Sequence, residues 1–314
     1  MAKRVLLTGG TGFVGANLAR HLLAEGHEVH LLVRQGHQGW RIAGLDTPLH
    51  VVDLQDAQNV QAAVGRIKPE WVFHLAAHGA YSWQTDVDQI MQTNLLGTVN
   101  LVQACLQQGF EAFVNTGSSS EYGFKDHAAH EETWLEPNSH YAVFKAAATL
   151  FCRYTAQKHH VPITTLRLYS VYGPYEDPGR LIPKLVMHGL EGTWPPLVSP
   201  ETARDYIYIA DVIAAYLTVA QAAIAPGAVY NVATGQQTTL REIVTVVREV
   251  LDVAAQPQWG TMDNRIWDTN VWVGNSQRLQ SETDWQPQVS LRQGVVSTIE
   301  WFREHADLHP IYAD

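Results

Sequence analysis

The chain has 314 residues, 46% of them hydrophobic and 17% charged, and 21 Lys and Arg against 31 Asp and Glu give a formal charge of −10. That balance suits a globular protein with one large or two modest cores, and it excludes a nucleic-acid surface, which needs clustered cations to displace counterions. Cys105 and Cys152 offer neither a disulfide framework nor metal-ligand spacing, and no apolar stretch reaches the roughly 18 residues of a membrane span.

Met1-Ala2-Lys3-Arg4 leads into an apolar run that imitates a secretory leader, but Gly9, Gly10, Gly12 and Gly15 interrupt it, so a cytoplasmic protein is expected. In chain order, short apolar runs predict buried strands at 5–8, 29–33, 50–52, 72–75 and 112–115. Apolar spacing near 3.6 predicts helices at 13–25, 58–67, 88–108 and 139–159, and a further strand follows at 163–168. Such alternation predicts an α/β fold, a doubly wound parallel sheet of Rossmann type. Beyond about Val171 prolines break the texture; strands are expected at 206–209 and 229–232, and helices at 240–251 and 291–303. The expected organisation is a dinucleotide-binding domain over 1–170, with a returning segment near 205–232. A smaller mixed C-terminal substrate lobe takes 171–204 and 233–314.

Thr8-Gly9-Gly10-Thr11-Gly12-Phe13-Val14-Gly15 follows the first strand and opens a helix. Glycines at 9, 12 and 15 let the backbone approach a pyrophosphate, whose charge the helix N-terminus favours. The turn's Gly9, Thr11, Gly12, Phe13, Val14 and Gly15 are therefore candidate cofactor contacts. Asp53, with Leu54, ends the third strand where an aspartate can accept from an adenine amino group, or cap the helix near Asp56. Leu75, Ala76 and Ala77 end the fourth strand and leave room for a cofactor against the backbone. His74 beside them reads as a satisfied core histidine.

Tyr141 and Lys145 stand four residues apart on one helix face. A free phenol titrates near roughly 10, and a neighbouring ammonium favours phenolate, so the expected direction for Tyr141 is down. Tyrosine then exchanges a proton with a substrate hydroxyl while hydride moves to or from a nicotinamide, and the lysine can also reach the nicotinamide ribose. Gly117-Ser118-Ser119-Ser120 runs off the intervening strand and offers hydroxyls to the same oxygen.

With these motifs the sequence resembles the extended short-chain dehydrogenase/reductases, particularly the NAD-dependent epimerase/dehydratase group. The resemblance extends through Asn94-Leu95-Leu96-Gly97-Thr98, Arg167-Leu168-Tyr169-Ser170-Val171-Tyr172-Gly173-Pro174, Arg204-Asp205-Tyr206 and Thr298-Ile299-Glu300-Trp301-Phe302, nearly the whole chain. It implies Tyr141 as acid/base, Lys145 as its activator, and Ser118 as the substrate-binding serine with Ser119 as the fallback. It adds Asn94 on the cofactor side and Ser170 on the substrate side. Arg204 resembles the group's diphosphate-binding arginine, and Arg265 with Asp268 a pair at the nucleotide end. Tyr81 is a candidate for the sugar pocket. The implied partner is a nucleotide-diphosphate sugar, and a homodimer is implied as well.

Dehydratases of the group carry an acid one or two places after the catalytic serine or threonine, where this chain has Ser119 and Ser120. Glu121 comes one place later, so dehydration is disfavoured. A nucleotide-sugar epimerase acting through a transient 4-keto sugar is the first expectation, and a 4-keto-sugar reductase the alternative. A carbonyl reductase of another substrate and a non-catalytic dinucleotide sensor rank below. For the cofactor, NAD or NADP, the second strand ends in Arg34 with no carboxylate, and Arg41 follows. Arginine suits a 2′-phosphate, which puts NADP ahead; Arg34 stacked on adenine or merely solvated is the competing reading. No metal is expected, although Asp126-His127-Ala128-Ala129-His130-Glu131-Glu132 groups histidines and acids.

Overall fold

The computed structural model describes residues 1–81, 83–262 and 271–313. The chain begins β1 (Arg4–Thr8), α1 (Phe13–Ala24), β2 (Glu28–Val33), β3 (Leu49–Val51), α2 (Ala57–Ile67) and β4 (Trp71–His74). It continues α3 (Val87–Met91), a π-helical turn (Gln92–Leu96), α4 (Gly97–Gln108), β5 (Ala112–Ser118), α5 (His140–His159) and β6 (Ile163–Leu168). There follow β7 (Ser170–Tyr172), α6 (Leu181–Leu190), β8 (Ala203–Arg204), β9 (Tyr206–Tyr208), α7 (Ile209–Gln221) and β10 (Val229–Val232). The last elements are β11 (Thr238–Thr239), α8 (Leu240–Leu251), α9 (Gln277–Glu282), α10 (Leu291–Glu304) and α11 (His309–Tyr312).

Among the described residues, seven strands form a sheet in the order β10-β6-β5-β4-β1-β2-β3, every pair parallel. This is the expected doubly wound Rossmann-type α/β fold. Strand composition explains it, because successive residues feed two cores. Val5, Leu7, Leu31, Phe73 and Val114 pack on one face with Ala16, Leu18, Val212 and Tyr216 from α1 and α7. Leu6, Leu32, Val72 and Phe113 pack on the other with Val60, Leu101, Cys105 and Cys152 from α2, α4 and α5. Each such aliphatic side chain taken fully from water contributes about 1.5–3 kcal/mol.

A third core joins Tyr172, Ile182, Leu185, Leu240, Ile243, Val295, Ile299 and Phe302. The small sheets β7–β9 (parallel) and β8–β11 (antiparallel) lie in the same half of the sequence. The chain order reverses between β1 and β4, and in open α/β sheets the ligand crevice lies beyond the strand carboxyl ends at that reversal. Thr8, His74 and Ser118 end β1, β4 and β5 there.

Candidate active site

The glycine turn closes tightly on itself: the Gly12 amide donates to the Gly9 carbonyl at 2.9 Å. Gly9 has φ of +73°, and a Cβ on it would stand 2.6 Å from the backbone of Leu75 and Ala76. The turn is therefore pressed against the end of β4. Gly12 precedes α1 without a side-chain cap, so the first amides of that helix remain free for an anion. Thr11, Phe13 and Val14 rim this turn, half-buried, while Arg34 stands exposed just beyond β2. Asp53 is exposed, and its Oδ1 accepts from the Gln55 amide at 3.0 Å; the cap of α2 is Asp56. Leu54, Leu75 and Ala76 are half-buried and Ala77 is exposed. An uncapped helix start, a turn that side chains would fill and an exposed cation beyond β2 fit a dinucleotide.

Beneath the crevice His74 is buried and fully bonded. Its Nδ1 meets the Thr8 hydroxyl at 2.7 Å and its Nε2 the Thr98 hydroxyl at 2.9 Å. Thr98 donates to the Asn94 carbonyl at 2.7 Å, so it must accept from His74 Nε2–H, which fixes the tautomer. Thr8 then donates to Nδ1 while accepting from the Ala76 amide at 3.2 Å. Burial pushes the imidazole down to about 3, so it stays neutral. It is the core histidine expected. Asn94, in the π-helical turn, is buried; its amide accepts from His78 N at 2.8 Å and donates to His78 O at 2.7 Å, which pins the loop after β4.

The residues expected to exchange the proton lie where β5 meets α5. Ser139 caps α5 by accepting from the Ala142 amide at 3.2 Å, which sets Tyr141 in the first turn and Lys145 one turn on. The Ser118 hydroxyl lies close enough to the Tyr141 phenol to lower its pKa. Ser119, by contrast, accepts from the Trp272 indole at 3.2 Å. The Lys145 amine, buried, donates to the Thr116 carbonyl on β5. One expectation is corrected. Burial raises the Tyr141 phenol above its ordinary value, with the nearby Ser118 hydroxyl pulling against it. Burial pushes the Lys145 amine down, opposed by Glu121. Desolvation leads at Lys145, which is buried in packed protein, and also at the half-buried Tyr141.

Among the residues expected to meet substrate, Tyr81 stacks on Trp83 at 5.7 Å, and the Arg180 guanidinium lies 4.8 Å over its ring. Arg180 also donates to the Ala80 carbonyl at 3.2 Å, bridging the loop after β4 to the start of α6. Arg204 lies 5.4 Å over the Trp272 indole, whose Nε1 donates to the Ser119 hydroxyl at 3.2 Å. Ser170 sits on β7, its amide donating to the Asp205 carbonyl at 3.0 Å. Arg265 and Asp268 lie outside the described residues. Arg41 does not reach the end of β2: it is buried, donating to the Tyr175 carbonyl at 2.8 Å. Among the described residues, no group of three or more His, Cys, Asp or Glu is arranged to hold a metal. In the 126–132 run, Asp126 and His127 pair on the surface at 2.7 Å, while Glu131 accepts from the Asn231 amide at 2.7 Å.

Sequence reasoning missed three of these residues. Trp272 carried no signal beyond being one tryptophan among several. Arg180 precedes a helix hidden by its prolines. Glu121 was noted only as a misplaced acid, yet it is fully buried and paired with Arg167, Nε to Oε2 at 2.8 Å.

A glycine-turned crevice faced by serine, tyrosine and lysine from β5 and α5 defines an extended short-chain dehydrogenase/reductase. The chain belongs to the NAD-dependent epimerase/dehydratase family, whose sequence pattern matches residues 5–233. It is 27% identical to the dTDP-D-glucose 4,6-dehydratase of Bos taurus, over 97% of this chain and 90% of that one. It is 28% identical to the GDP-6-deoxy-D-mannose reductase of Pseudomonas aeruginosa, over 94% and 95%. The crystal structure of Thermus thermophilus UDP-glucose 4-epimerase with NAD superposes with a TM-score of 0.85 at 30% identity, covering 96% of this chain and 99% of that one.

Proposed function

We propose that the protein is a nucleotide-sugar 4-epimerase acting through a transient 4-keto sugar. One observation carries the choice among the family's reactions. The two positions after Ser118 are serines, and the first carboxylate beyond them, Glu121, is buried, with both oxygens engaged by Ser118, Thr149 and Arg167. A carboxylate held in this way is poorly placed to remove a proton from sugar carbon, as dehydration requires. Epimerisation needs only the serine, tyrosine and lysine.

A nicotinamide dinucleotide, when bound, supplies reversible hydride exchange. The chain does the rest. Ser118 orients the sugar 4-hydroxyl, and Tyr141 takes its proton and later returns it to the same oxygen, once the ketose has turned so that hydride comes back to its other face. Lys145 supports the phenol from one helical turn on, and its amine can also reach the nicotinamide ribose. Arg204 and Arg265 bind the diphosphate and nucleotide ends; Tyr81 and Ser170 line the sugar. Gly9 through Gly15, Asp53, Leu54, Leu75 to Ala77 and Asn94 build the cofactor groove. Arg34, exposed and with no carboxylate at the end of β2, favours NADP as cofactor, whereas the Thermus relative was solved with NAD. We assign the cofactor part to residues 1–170 with 205–232, and the substrate lobe to 171–204 with 233–314.

The active unit is a homodimer formed through α5, where Val143, Leu150 and Tyr154 stand exposed at helical spacing. No helix among the described residues is long and apolar enough to cross a membrane, and a cytoplasmic enzyme is our reading. Incubating the purified protein with a panel of UDP-, dTDP- and GDP-hexoses tests the proposal. A C4 epimer formed without added cofactor supports it; stoichiometric NADPH consumption selects the reductase instead.

A further inference from the structure

Glu121 is an anomaly beneath the proposed site. Its carboxylate is 0% exposed and takes three donors. On Oε1 these are the Ser118 amide at 2.9 Å and the Thr149 hydroxyl at 3.0 Å; on Oε2 it is Arg167 Nε at 2.8 Å. Arg167 donates again, through Nη1, to the Tyr122 phenol at 2.8 Å, and Tyr122 donates to Asn231 at 2.8 Å. These bonds tie the ends of β5 and β6 to β10 directly below Ser118. Gly117 is part of the arrangement, since a Cβ there would stand 2.8 Å from Glu121 Oε1.

The plain account is a capping box, in which Glu121 bonds back to the Ser118 amide that opens a short 3-10 turn. Glutamine makes the same box without taking an ion pair out of water, which is seldom stabilising on balance. The box therefore explains the bond to Ser118 but not the charge or its arginine. Both act on the neighbours that the reaction uses. Glu121 helps Lys145 keep its proton against burial and disfavours the Tyr141 phenolate. The other groups facing these two are Arg180, Tyr81 and Tyr216 for Tyr141, and Cys152 and His74 for Lys145.

We propose that the Glu121–Arg167 pair is a positioning device for proton exchange: Glu121 fixes the Ser118 backbone, and with it the hydroxyl beside Tyr141, while the paired charges set the electrostatics around Tyr141 and Lys145. The proposal rests on the roles given above to Ser118, Tyr141 and Lys145. It adds residues that touch neither substrate nor cofactor.

The test titrates the Tyr141 phenol by ultraviolet difference against Tyr141→Phe, in protein saturated with NADP or, where that does not bind, NAD, with and without Glu121→Gln. Removing the negative charge leaves Arg167 unbalanced, so the phenol should ionise at lower pH, by on the order of half a unit or more. With substrate, kcat should fall roughly tenfold while KM changes little, as expected when an interaction made in the transition state is lost. Adding Arg167→Met to Glu121→Gln removes the unbalanced charge and should return the titration toward its original position. Arg167→Lys keeps the charge but loses the fork, so kcat should fall with the titration in place; this variant serves if Glu121→Gln does not fold. An unmoved titration in Glu121→Gln, or unchanged kcat in Arg167→Lys, overturns the proposal. The titration needs no sugar, so its outcome is separate from failure to find a nucleotide-sugar substrate. Normal wild-type epimerisation with either negative result would sink the positioning role alone.

Discussion

A Cβ placed on Gly15 would stand 2.2 Å from the carbonyl oxygen of Gly9, closer than real contacts allow. The helix and the turn that opens it thus touch through bare backbone, and the opposing atom is a carbonyl that cannot swing away. Gly15→Ala should displace the turn that faces the pyrophosphate. We expect dinucleotide affinity to fall at least ~100-fold, or ~2.7 kcal/mol, by calorimetric titration. Binding unchanged within about twofold would show that the cofactor does not rest on this turn.

Tyr141→Phe removes the phenol hydroxyl and leaves the ring. Turnover should fall by about 10²–10⁴-fold, the usual contribution of general acid–base catalysis, while cofactor affinity and Tm stay near those of the parent. A sensor that only binds the dinucleotide would be unaffected in both readouts.

His74 links acid stability to the crevice floor. Its folded value lies near 3, well below the ordinary 6.5, because burial disfavours the imidazolium. Above about pH 6.5 both folded and unfolded forms are neutral, and the group is silent. As pH falls from there toward 3 the unfolded chain takes up a proton that the folded chain refuses. Stability should then drop by about 1.4 kcal/mol per pH unit from this residue. His74→Gln should flatten that part of the curve of unfolding free energy against pH, at the cost of a lower plateau near neutrality. An unchanged slope would contradict the buried neutral assignment.

Arg204 lies over Trp272, whose indole is bonded to Ser119, which puts the arginine near the serine run. Arg204→Ala should raise KM for a nucleotide sugar by roughly tenfold or more with a smaller change in kcat, the pattern of lost ground-state binding. No change in KM would favour a carbonyl substrate without a diphosphate.

Leu150 and Tyr154 are 55% and 63% exposed on α5. If that face is the dimer contact, Leu150→Asp with Tyr154→Asp should yield a monomer by light scattering, since unpaired charges are costly in an interface core. A dimer that survives both changes lies elsewhere.

Much of this was legible in the sequence. The strands at 163–168 and 229–232 and the helix at 240–251 fall where periodicity puts them, because continuous apolar runs between turn residues leave few alternatives. The glycine turn and the Tyr141–Lys145 spacing were equally plain, being local patterns with local causes. The helix predicted at 88–108 is instead α3 and α4 joined through a π-helical turn, whose Asn94 bonds to the distant His78 backbone; periodicity carries no trace of that contact. Helix α6 was hidden by Pro183, which sits in the first turn where proline is tolerated. The direction of the Tyr141 shift and the burial of Glu121 were illegible for one reason. Both depend on how much protein surrounds a group, and spacing along a chain does not give that.

Nuclear magnetic resonance of the protein with a nucleotide hexose in deuterated water tests the central claim most directly. Hydride that leaves and returns to the same carbon never meets solvent, so the account predicts the C4 epimer with no deuterium on any ring carbon. Deuterium at C5, or a 6-deoxy-4-keto product, would mean that a carbon-bound proton is removed and would contradict it.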